Sequence, residues 1–93
     1  MVKTSKFDAA DYLKTPTAIA AYLTEAFETD DPAYICIALD TVARAKGMAS
    51  VAKATGLGRE SLYKALAPGA KTRFDTVLKV ARALGVRLTA HVA

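Results

Sequence analysis

An all-α domain of about five helices with a short C-terminal β-strand is predicted by three features of this sequence. Alanine fills 20 of the 93 positions, and it is the strongest helix former. The few glycines and prolines stand at the edges of apolar patterns rather than inside them. The apolar residues recur at helical spacing as far as Leu84 and alternate only after Gly85, which is the signature of a strand. The length fits a single domain, residues 1–93, with one core.

The elements follow in order. Residues 1–7 read as a loose tail, and Asp8 to Leu13 as one short helical turn. Thr15-Pro16 gives an N-cap followed by proline at the first helical position. Ile19, Tyr22, Leu23, Ala26 and Phe27 then mark one apolar face, so a helix should run to about Thr29. Asp30-Asp31-Pro32 repeats the start signal with negative charge at the positive end of the helix dipole. Ile35, Ala38, Leu39 and Val42 carry the second helix to Lys46, and Gly47 ends it. Two short helices are expected at Ala49–Thr55 and Arg59–Ala67, separated by Gly56-Leu57-Gly58. Residues 68–72 form a loop, and Phe74, Val77, Leu78, Ala81 and Leu84 define a last helix over Arg73–Leu84. Val86, Leu88, Ala90 and Val92 alternate with Arg87, Thr89 and His91. A lone strand leaves its backbone groups unpaired, so residues 86–92 are expected to pair with a second copy and make a homodimer.

Charge is divided unevenly. Residues 1–46 carry five Lys/Arg and seven Asp/Glu, a net of −2; residues 47–93 carry eight and two, a net of +6. A basic half suits a polyanion and an acidic half a different partner, although a charged solvated surface would produce the same tally.

Met48 to Ala67 meets the offsets that a helix-turn-helix requires. Ala52 is small where the second helix crosses the first. Gly56, four residues later, tolerates positive φ. Leu57 plugs the core after the turn, while Val51, Leu62, Ala65 and Leu66 supply the inward faces. An ordinary helical hairpin with a glycine turn is the plainer alternative. On the opposite face of the second helix lie Arg59, Glu60, Tyr63 and Lys64, with Ser61 beside them. Arg and Lys match guanine O6/N7, Glu accepts from cytosine N4, and Tyr63 offers apolar contact to a thymine methyl. Lys71, Thr72 and Arg73 in the next loop, and Lys53 on the first helix, suit phosphate contacts that fix register. The chain has no Asn or Gln, the side chains that read adenine bidentately, so direct readout should favour G·C pairs.

The run Gly56-Leu-Gly-Arg-Glu-Ser-Leu-Tyr-Lys-Ala-Leu66, with Phe74–Lys79 and Ala83–Leu88, resembles the addiction-module antidote family. Tyr12-Leu13, Ile19–Ala26, Asp31-Pro32, Ala38-Leu39 and Ala43–Met48 extend the resemblance over about residues 8–90. It implies a lambda-repressor-like domain and an antitoxin that represses its own operon, with double-stranded operator DNA as one partner. The other partner would be a small RelE/HigB-like ribonuclease toxin. Such toxins are basic, so the acidic segment Glu25, Glu28, Asp30 and Asp31 becomes the candidate toxin-binding face; completing the core is the alternative role for that helix. Gly58 departs from the family pattern where a serine N-cap is usual, and Lys71-Thr72 where Asn-Pro is expected.

Two further readings stay open on the sequence: a Cro-type repressor with no toxin partner, and an interaction module that no longer binds DNA. An enzyme is disfavoured. The single histidine, His91, has no nucleophile or second ligand near it in sequence, and no Walker motif or metal-ligand spacing occurs, so neither a cofactor nor a metal is expected. Gly56-Leu-Gly58 follows no strand and is not a dinucleotide loop. Cys36, the one cysteine, lies between Ile35 and Ile37 and reads as a reduced, partly buried thiol of no chemical role. No apolar run reaches the length of a membrane span or signal segment, so a cytoplasmic protein is expected.

Overall fold

The computed structural model describes residues 13–93 and contains five helices. The expected helical turn at Asp8–Leu13 and the tail at 1–7 lie outside the described residues, except for Leu13, which is buried. Helix α1 spans Pro16–Glu28, and the Thr15 hydroxyl caps it by accepting the Ala18 N–H at 3.2 Å. Helix α2 spans Pro32–Lys46, and the Asp31 carboxylate accepts the Ala33 N–H at 3.0 Å. Both starts agree with the Thr-Pro and Asp-Pro signals. Asp30, between the two helices, has φ 56°, a left-handed conformation that Asp adopts more readily than most residues.

Helix α3 spans Met48–Thr55, one residue earlier than expected, and α4 spans Arg59–Ala65. Gly56 links them at φ 79° and ψ 5° and donates its N–H to Ala52 at 3.0 Å. A Cβ there would meet nothing within 4 Å, so the requirement for glycine is a matter of backbone conformation and not of space. Helix α4 ends two residues short of Ala67. Pro68 explains the early stop, because the residue before a proline is pushed out of the helical region. Helix α5 spans Phe74–Ala83 and is followed by Gly85 at φ 82°.

Ile19, Leu23 and Ala26 of α1 are buried, as are Leu39 and Val42 of α2, Val51 and Ala52 of α3, Leu62 and Leu66 at α4, and Val80 and Leu84 at α5. They form one cluster. Helix α1 packs on α2, α2 on α3, and α3 on both α4 and α5. Helix α3 is thus the platform on which α4 is held. Tyr22, Phe27, Ile35 and Val77, all read as core-facing, are half-buried against the cluster. Cys36 is buried and free.

Residues 86–93 form neither helix nor strand in the single chain. The Val86 N–H returns to the Ala81 carbonyl at 3.0 Å and finishes α5. The expected alternation is only partly expressed: Val86 and Leu88 are half-buried, but Ala90 and Val92 are exposed. Beside this segment, Leu78, Ala81, Arg82, Gly85, Val86, Arg87 and Leu88 line an open groove of about 450 Å³.

Candidate nucleic-acid interface

Leu62 and Leu66 are fully buried, which turns Arg59, Glu60, Ser61 and Lys64 outward. Arg59, Glu60 and Ser61 are exposed in its first turn, and Lys64 is exposed one turn on. Gly58 precedes them with extended backbone and offers no side-chain cap. Lys53 is exposed near the end of α3.

The chain brings five of the nine expected contact residues to one place. Ser61 and Lys64 on α4, with Lys71, Thr72 and Arg73 from the following loop, line a shallow groove of about 390 Å³, together with Ala65, Ala70 and Thr76. Lys53, Arg59, Glu60 and Tyr63 do not line it. Arg59 and Glu60 stand at the N-terminal end of the same helix.

Within this group the side chains are not equivalent. The Thr72 hydroxyl donates to the Ala65 carbonyl and has the Cys36 sulfur at 3.8 Å. It ties the loop to the C-terminal end of α4 and to α2, so its one proton is already committed within the chain. Arg73 pairs with Asp75, Nε to Oδ1 at 3.0 Å and Nη2 to Oδ2 at 3.5 Å. That hydrogen bond holds the Asp75 carboxyl below the usual carboxylate range and raises the guanidinium's own pKa. Both partners are exposed, so the pair orders the loop more than it stabilises the fold. Lys53, Lys64 and Lys71 have no carboxylate partner among the described residues.

Tyr63 departs most from the free contact residue expected of it. Its ring is half-buried against the core, and the Arg44 guanidinium of α2 lies 5.0 Å from the ring centroid. Arg44 Nε is bonded to Asp40 Oδ2 at 2.8 Å, and this bond raises its pKa. Arg44 was not legible as a site residue. Its i, i+4 spacing from Asp40 predicts an ion pair, but its contact with a residue 19 positions away needs the fold.

The acidic residues collect elsewhere. Glu25 and Glu28 end α1, Asp30 and Asp31 form the turn into α2, and all four are exposed. None of the four is ion-paired among the described residues. His91 is exposed, with Nε2 3.2 Å from the Thr89 hydroxyl. No group of three or more metal-ligating side chains occurs among the described residues, and no helix there is long and apolar enough to cross a membrane.

A family profile described as "Probable addiction module antidote protein" matches residues 3–92. An uncharacterized protein of Haemophilus influenzae is 40% identical over 81 residues, covering 87% of this chain and 84% of that protein. No solved structure gives a significant match. With nearly its whole length matched, the chain belongs to the addiction module antidote family.

Proposed function

We propose that this antidote is a sequence-specific DNA-binding antitoxin that represses its own operon and neutralises a RelE/HigB-like ribonuclease toxin. The carrying observation is the gathering of Ser61, Lys64, Lys71 and Arg73 about a helix whose other face is locked into the core. In this reading α3 and α4 are a helix-turn-helix of the lambda-repressor-like kind. Helix α4 enters the major groove with Arg59, Glu60 and Lys64 on base edges and Tyr63 against a thymine methyl. Lys53, Lys71 and Arg73 contact phosphates, and Ser61 and the backbone around Thr72 help to fix register. The protein works by binding, without catalysis or cofactor, in the cytoplasm.

The toxin face is assigned to Glu25, Glu28, Asp30 and Asp31. Glu25 and Glu28 sit at the C-terminal end of α1, where the helix dipole disfavours negative charge by about 0.3–1 kcal/mol each. Carboxylates held against that preference suit a basic partner whose approach they steer. The homodimer is assigned to residues 86–92, where backbone groups await a ladder and the Val92 side chain is fully exposed.

The test is a titration of the duplex immediately upstream of the gene, against a scrambled duplex, at two salt concentrations. Wild type should prefer the native duplex and weaken as salt rises. Arg59→Ala/Lys64→Ala should lose roughly 100-fold of that preference, since each good base contact is worth ~1–3 kcal/mol of discrimination. Equal wild-type affinity for the two duplexes would remove the repressor reading and leave a protein-interaction module.

A further inference from the structure

We propose that Arg44 is a positioning residue for the DNA-reading face: clamped by Asp40, it fixes the ring of Tyr63 on α4 and thereby sharpens base preference without neutralising a phosphate. The inference rests on the DNA-binding reading above and goes beyond it to a residue on a different helix.

Three groups from two elements make the device. Asp40 and Arg44 are one turn apart on α2, with Nε and Oδ2 at 2.8 Å. That bond holds the guanidinium over the Tyr63 ring, 5.0 Å from its centroid, inside the range at which a cation is attracted to an aromatic face. The ring is half-buried against the core, and the guanidinium lies over it. A tyrosine held between core contacts and a fixed guanidinium keeps one orientation, whereas an unclamped ring samples several rotamers before it meets a base.

The carboxylate also decides what Arg44 does not do. Its charge is matched by Asp40, unlike Lys53, Lys64 and Lys71, which have no such partner among the described residues. A paired guanidinium releases few counterions on binding DNA, so Arg44 and the lysines should separate by salt dependence.

The experiment compares wild type, Arg44→Gln, Arg44→Lys, Tyr63→Leu and Arg44→Gln/Tyr63→Leu. In the free proteins, the ring-current shift of the Arg44 side-chain protons should be present in wild type and absent in Tyr63→Leu. On native and scrambled duplexes, Arg44→Gln should lower the preference ratio about two- to fivefold, the fold-change matching a cation–π contact at an exposed site. The slope of log affinity against log salt should not change. Arg44→Lys should restore most of the ratio, because lysine keeps both the cation and the i, i+4 partner. In the Tyr63→Leu background, Arg44→Gln should have no further effect.

A slope reduced by about one phosphate's worth in Arg44→Gln would make Arg44 a direct phosphate contact and overturn the proposal. So would an absent ring-current shift, an unchanged ratio, or additive losses in the double variant. If wild type prefers the native duplex while Arg44→Gln matches it, only the positioning role falls. If wild type itself has no preference, the DNA-binding reading falls and this one with it.

Discussion

Replacing Leu62 by alanine should destabilise the domain by about 2–5 kcal/mol, the usual cost of emptying a fully buried leucine site. Leu62 is fully buried at the centre of α4, and that helix has only seven residues. So short a helix is not stable by itself in water. It persists because Leu62 and Leu66 dock into the cluster with Val51 and Ala52 of α3 and because Thr72 ties down its last turn. A domain of this size typically has ~5–15 kcal/mol of stability, so the loss is a large share of the total. Urea unfolding would read it as a fall in midpoint. Lys64→Ala, on the exposed side of the same helix, should stay within about 0.5 kcal/mol. A Leu62→Ala cost no larger than that of Lys64→Ala would mean that α4 is not anchored by its inward face.

Deleting residues 86–93 should convert a dimer to a monomer and weaken operator binding by about 10²–10⁴-fold, the usual advantage of engaging two half-sites at once. Because Val86 packs on the core and its N–H finishes α5, the deletion also removes some folding contacts. Val92→Asp separates the two effects. That side chain is fully exposed in the single chain, so its replacement should leave monomer stability unchanged while placing a charge in the dimer seam. Light scattering that found the truncated chain still dimeric would assign association to another surface.

The local signals of the sequence translated directly into structure because each depends on a few neighbouring atoms. Thr15-Pro16 and Asp31-Pro32 became capped helix starts, and Gly56 took the left-handed turn between α3 and α4. Of the inward positions, Val51, Ala52, Leu62 and Leu66 are buried, whereas Ala65 is half-buried and lines the groove. The apolar pattern runs on to Ala67, but α4 ends at Ala65, because Pro68 disfavours helical backbone in the residue before it. Alternation over residues 86–92 is only half of what a strand requires; a strand also needs a ladder partner, and the single chain supplies none among the described residues.

The candidate site was legible as a set of residue types on α4 and its following loop, but not as a division of labour. Thr72 looked like a free hydroxyl and is committed to Ala65. Arg73 looked like a free cation and is paired with Asp75. Tyr63 looked open and is stacked under Arg44. The Tyr63–Arg44 contact joins positions far apart in sequence, and the Thr72 tie joins a loop to the end of the preceding helix, so neither periodicity nor spacing registers them.

Backbone amide shifts of the protein titrated with its native upstream duplex test most directly whether α4 and the loop after it form the DNA face. The largest and most salt-sensitive changes should fall at Arg59–Lys64 and Ala70–Arg73, with little change at Glu25–Asp31. Changes centred on the acidic turn between α1 and α2, or uniform small changes identical with a scrambled duplex, would contradict it.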